Sequence, residues 1–162
     1  MRGPTARFLP LLAAALAFVP SAALAQDESP VMGAWLVHSM TFPDGTEMMQ
    51  HPGLFIYTAT HYSAMFVTGD EARTDLSEEP TDAERLAAWR PFVANSGRYE
   101  IAGDQLTTRA FVAKSPNYMH AFPDNATAFT FSVQGDELTL TSASGAVVKL
   151  HRVEGTEFPG SQ

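Results

Sequence analysis

Phe129-Thr130-Phe131-Ser132-Val133-Gln134-Gly135-Asp136-Glu137-Leu138-Thr139-Leu140-Thr141 is the stretch that decides the fold. Phe129, Phe131 and Val133 alternate with Thr130 and Ser132, and Leu138 and Leu140 alternate with Thr139 and Thr141. A period of two sends successive side chains to opposite faces of a strand, so each run has one apolar and one wet face. Gly135-Asp136 between them tolerates the positive φ of a tight turn. The stretch therefore predicts an antiparallel hairpin lying half on a core.

The same pattern extends in both directions. Toward the C-terminus, Val147 to Val153 follows Ser144-Gly145 and reads as the last strand. Toward the N-terminus, Leu106 to Val112 follows Gly103-Asp104, and Tyr99 and Ile101 alternate with Arg98 and Glu100. Leu54 to Thr58 and Tyr62 to Thr68 are separated by so short a gap that a hairpin is their natural connection. Gly33 to Phe42 ends at the turn signal Pro43-Asp44-Gly45. About eight short strands joined by tight turns fit an all-β closed antiparallel barrel or a sandwich better than any α/β arrangement. Eight strands close around an interior just wide enough for side chains or one small ligand.

One region breaks the alternation. Thr81-Asp82-Ala83-Glu84 is a capping box, predicting a helix that carries Leu86, Ala87 and Trp89 and is ended by Pro91. Ahead of it runs an acidic loop; from Asp70 to Glu84 there are seven carboxylates and one arginine, Arg73. Such runs are mostly solvated faces, and their spacing does not match a calcium loop.

Composition narrows the chemistry. At 45% hydrophobic and 17% charged, the 162 residues support one packed domain rather than a disordered chain. The absence of cysteine removes thiol nucleophiles, iron–sulfur clusters and cysteine-ligated zinc. A net charge of -8 argues against nucleic acid or an anionic membrane surface as partner. The five histidines, His38, His51, His61, His120 and His151, show no metal-binding spacing, so no metal is expected; His38 and His120 are the candidates for a general base. No serine sits in a G-x-S-x-G elbow and no glycine-rich loop fits a phosphate cradle.

Arg2 and Arg7, an apolar run from Phe8 to Val19, and Ser21-Ala22-Ala23-Leu24-Ala25 have the make-up of a secretory signal peptide cleaved after Ala25. The expected organisation is a signal peptide at 1–25, a linker at 26–32, the barrel at 33–155 and a tail at 156–162. The apolar run is too short to span a bilayer, so an exported protein, periplasmic or secreted and without a membrane span after cleavage, is expected. Asn125-Ala126-Thr127 is formally a glycosylation acceptor, relevant only in a eukaryotic secretory pathway.

Four segments in order carry a resemblance. Gly33-Ala34-Trp35 resembles a G-x-W opening of a first strand, and Gly53-Leu54-Phe55-Ile56-Tyr57-Thr58 followed by Tyr62-Ser63 a second hairpin. Phe92-Val93-Ala94-Asn95-Ser96-Gly97-Arg98-Tyr99-Glu100 looks like a helix exit into a G-x-Y strand, and Ser115-Pro116-Asn117 like the loop before the last strands. Together they resemble the lipocalin-like domain family, small β-barrel proteins distantly similar to lipocalins, over Gly33 to about Glu154. The resemblance implies an eight-stranded antiparallel up-and-down barrel with one helix inserted mid-chain, and a cavity. It says little about chemistry, although some relatives sit in natural-product pathways. Where relatives commonly carry histidine after G-x-Y, this chain has Thr107, Thr108 and Arg109.

The candidate ligand-binding residues are Tyr57, Tyr62, Met65, Tyr99, Arg109, Phe129 and Phe131. The tyrosines each offer an apolar body with one polar handle, and Met65, with Met40, offers an adaptable apolar surface. Arg109, inward, would need an anionic partner such as a ligand carboxylate; sharing the outward face with Thr107, it is a solvated residue, with Leu106, Thr108, Ala110 and Val112 as the inner face. Trp35 and Arg152 are expected to meet where first and last strands close the sheet, a structural contact. The leading function is an exported barrel binding a small, mainly hydrophobic molecule that could bear an acid group. An isomerase or cyclase acting without a cofactor in the same pocket is the alternative, and a filled barrel acting through its acidic surface is the third.

Overall fold

In the computed structural model, residues 29–49, 53–69 and 73–153 are described. The leader at 1–25, the first three residues of the linker, His51, the start of the acidic loop and the tail at 156–162 lie outside the described residues.

Nine strands form one sheet: β1 (Gly33–Thr41), β2 (Glu47–Met49), β3 (Gly53–Tyr57), β4 (His61–Val67), β5 (Phe92–Ala102), β6 (Gln105–Ala113), β7 (Ala126–Gln134), β8 (Glu137–Ser142) and β9 (Val147–Arg152). Every neighbouring pair is antiparallel, and β1 also pairs with β9, so the sheet closes. β3 pairs with the first half of β1 and β2 with the second, so these two short strands occupy one position in an eight-stranded barrel. The three-residue β2 has no period to read and was not expected. The deciding hairpin forms as read, with Val133 opposite Leu138 and Phe131 opposite Leu140.

The two ends of the barrel differ. At one end the hairpin turns are tight, and Val31, Trp35, Leu106, Leu138 and Leu150 are fully buried. The Arg152 guanidinium lies 4.0 Å from the centre of the Trp35 ring, as closure of the sheet requires. Trp35 Nε1 donates to the Val31 carbonyl at 2.8 Å, and Arg152 Nη1 donates to the Met32 carbonyl at 2.8 Å. Gly33 has φ of 130°, and a Cβ there would come within 2.6 Å of that guanidinium, so the G-x-W glycine is required twice over.

At the other end the connections are long. Helix α1 (Asp82–Trp89) bridges β4 and β5, and a segment holding a short 3-10 turn (Pro116–Tyr118) bridges β6 and β7. The capping box forms: Thr81 Oγ1 accepts from the Glu84 amide and the Thr81 amide donates to the Glu84 carboxylate. Nothing in α1 is buried. The carbonyls at its C-terminus are met by Lys114, the residue after β6: Nζ donates to the carbonyls of Trp89 and Arg90, and to that of Phe92 at the start of β5, which suits the negative end of the helix dipole.

Candidate functional site in the barrel interior

The inner wall is assembled by strand parity. Tyr57 faces Tyr62 across β3 and β4, Tyr62 faces Gly97 on β5, and Gly97 faces Ala110 on β6. Tyr99 faces Thr108, and Leu106 faces Phe129. Tyr57, Tyr62, Tyr99, Leu106, Thr108 and Ala110 are all buried. On β7 the pattern changes. Thr127, Phe129, Phe131 and Val133 point inward, opposite the buried Thr108, Leu106, Leu140 and Leu138, yet are themselves only half-buried. Phe42, Phe66 and Val148 also pack on the core while keeping part of their surface exposed. Leu106, Leu138 and Leu150 thus pack the interior at the Trp35 end, while the half-buried row of β7 runs from Thr127 at the far end to Val133 beside the β7–β8 turn at that same end.

The three tyrosines differ in how their hydroxyls are met. Tyr99 donates to the Thr58 carbonyl at 2.6 Å and pairs with the Ser29 hydroxyl at 2.9 Å, so it ties the closed end to the N-terminal segment. Its ring meets Tyr57 edge-on at 5.3 Å. Burial, reinforced by Tyr62 and Tyr99, pushes the Tyr57 phenol well above its ordinary range. Tyr62 is 5% exposed, and its hydroxyl has no hydrogen-bond partner. Burial pushes this phenol up to about 12; the adjacent Thr108 hydroxyl offsets this in part, and Tyr118 adds to it. Thr108 gives its own proton to the Thr127 carbonyl at 3.3 Å. A buried donor left unmet costs roughly 1–3 kcal/mol.

A second unmet atom lies where β6 and β7 part. β6 and β7 pair only from Gln105–Thr130 to Arg109–Ala126; above that they part. Asn125 fills the gap, donating from Nδ2 to the carbonyls of Ala110 at 3.0 Å and Tyr118 at 2.9 Å, while its Oδ1 is buried without a partner. An amide so engaged is not presented as a glycosylation acceptor.

Two of the expected interior residues stand on the outer face. Met65, 41% exposed, pairs with Ala94 and alternates with the buried Ala64, so parity turns it to solvent. Arg109 faces Arg98 across the ladder and pairs with Glu100 at 3.1 Å on the surface, so it is the solvated residue and not an interior anchor. Val112 also leaves the inner face: a bulge between Ser96 and Gly97 makes Phe111 an extra residue, leaving Val112 59% exposed and Ala113 opposite Asn95. His38 stacks on His151 at 4.5 Å on the outside, and His120 is exposed in the β6–β7 segment. Among the described residues no cluster of histidine and acidic side chains could hold a metal ion.

Outside the barrel, an open groove of about 670 Å³ is lined by Thr68, Gly69 and residues 73–76 on one side and by α1 and the two residues after it on the other. Arg73 and Arg90 share it with Asp75 and Glu84, so its charges oppose one another and favour no ligand sign.

A family model described as a lipocalin-like domain matches residues 32–156. The chain belongs to the lipocalin-like domain family. Among solved structures, a lipocalin-like protein from Bacteroides uniformis ATCC 8492 is 15% identical and superposes with a TM-score of 0.50, covering 77% of this chain and 100% of that one. An uncharacterized protein from Bacteroides eggerthii DSM 20697 is 10% identical with a TM-score of 0.48, covering 75% and 98%. No curated protein is significantly similar to the chain. At these identities the likeness is one of fold, and the lipocalin-like architecture leaves the chemistry to the interior just described.

Reading the residues alone missed Asn125 and Tyr118 as neighbours of the interior. Thr108 was placed on the inner face without being singled out. Its position beside an aromatic facing a glycine was the available signal; the parting of β6 and β7, which brings Asn125 in, leaves none.

Proposed function

We propose that this chain is an exported lipocalin-like barrel that binds a small, mainly hydrophobic molecule in its interior. The observation that supports the reading is the inward-facing row of β7, where Phe129, Phe131 and Val133 pack against the core of a closed barrel and are only half-buried. Burying apolar surface gains about 25 cal/mol per Å², so half-buried aromatic side chains on an inner face are a standing attraction for an apolar guest. Arg2, Arg7 and the apolar run with its small-residue end support export. Among the described residues the strands turn no carboxylate or imidazole inward, which favours holding a guest over moving its protons.

The test is titration of the mature protein with a neutral, polarity-sensitive fluorophore. Saturable blue-shifted emission is expected, and Thr127→Trp, which fills the interior from β7, should abolish it while leaving the circular dichroism of the barrel unchanged. Absence of saturable binding to the wild-type protein, or binding indifferent to Thr127→Trp, would refute interior binding.

A further inference from the structure

Resting on the interior-binding reading, we propose that the Tyr62 hydroxyl recognises an uncharged oxygen-bearing head group, so that the ligand is a neutral apolar molecule with a carbonyl or hydroxyl rather than a fatty-acid anion or a plain hydrocarbon. Tyr62 stacks on Tyr57 across β3, and on its other side its ladder neighbours are Gly97 and then Ala110, which bring no side chain larger than methyl. Gly97 admits nothing else: a Cβ there would run into the Arg109 carbonyl and lie 2.8 Å from the Ala110 Cα. The phenol is buried, unmet, and flanked by Thr108 and Tyr118. Asn125, bonded to the carbonyls of Ala110 and Tyr118, holds a second unmet atom, an acceptor, on the segment that carries Tyr118. A ligand carbonyl accepts from the phenol donor, and a ligand hydroxyl accepts from it while keeping a proton to donate.

Charge excludes the ionic alternatives. A buried carboxylate needs a cation, and among the described strand residues Arg152 is the only charged side chain on the inner face. It lies at the closed end, held by Trp35, the Met32 carbonyl and Asp136. Arg109 is outside, paired with Glu100. A hydrocarbon guest would leave the phenol unmet, forfeiting the hydrogen bond that an oxygen acceptor gains. The phenol oxygen has no exposed surface, so its occupant reaches it with displacement of the neighbouring Tyr118 segment.

The experiment uses three probes of matched shape, 2-acetylnaphthalene, 2-ethylnaphthalene and 2-naphthoate, titrated into the mature protein near neutral pH. The ketone should bind about tenfold more tightly than the hydrocarbon, one buried hydrogen bond's worth, and the anion more weakly than either. Tyr62→Phe should erase the ketone's advantage and leave the hydrocarbon within twofold of wild type. Equal affinities for ketone and hydrocarbon in the wild-type protein, a ranking that needs no variant, overturn the head-group inference and leave interior binding intact. So does a ketone preference that survives Tyr62→Phe, or a variant that weakens all three alike, which would mark the phenol as structural. If none of the three binds, interior binding itself falls.

Discussion

Trp35 and Arg152 face each other where the first and last strands close the barrel, and their contact is worth about 0.5–2 kcal/mol. Arg152→Ala should lower the free energy of unfolding by at least that much, because the Met32 carbonyl loses its donor as well; chemical denaturation measures it. Gly97→Ala should cost about 1–3 kcal/mol by forcing a methyl against the β6 backbone, read in the same way. Arg109→Ala should move stability by less than about 1 kcal/mol, as for a surface pair, and leave ligand binding alone. Two of the four tyrosines, Tyr57 and Tyr62, have phenols raised above the ordinary value of 10.0. The folded state holds these protons more tightly than the unfolded chain, so their stabilisation is complete below the unfolded pKa of 10.0 and is lost as pH rises through that value toward about 12. Absorbance at high pH should show two phenols ionising late, together with unfolding. Trp35–Arg152 was legible because parity and closure fix it. Met65 and Val112 were not: the first needed the register of a short strand, the second a bulge. The unmet state of Tyr62 was invisible because it depends on what Gly97 and Ala110 lack.

Among the elements, helix α1 was readable from its own start signal and not from its end. Thr81 and Glu84 cap it locally, whereas Lys114, which meets its last carbonyls, is the residue after β6. Thr81→Ala should cost the helix about 1 kcal/mol. Since α1 buries no side chain, that loss should appear as faster amide exchange across Asp82–Trp89 with little movement of the global unfolding midpoint. The hairpin of β7 and β8 was legible to the residue because alternation and the Gly135-Asp136 turn agree on one register. That β7 stays half-buried was not, since alternation tells which face points inward and not whether the inside is filled.

For the molecule as a whole, pairing of β1 with β9 closes the sheet and leaves the three-residue β2, which pairs with β1 alone, as an open edge among the described strands, while the inward row of β7 stays half-buried. The architecture was legible because eight strand signals separated by turns admit few topologies. The nature of the guest was not, since an acid group was compatible with an inward Arg109 and the register turns that residue outward. A guest that binds the folded state alone adds about 2.7 kcal/mol at a hundredfold excess over Kd, so ligand should raise the thermal midpoint in a concentration-dependent way. Interior binding is tested most directly by native mass spectrometry of the mature protein, purified gently from its own host. The predicted result is a co-purifying small-molecule mass, neutral and apolar, that is lost on denaturation and absent from Thr127→Trp. A protein that is empty from its host and also fails to take up a neutral apolar probe would contradict interior binding.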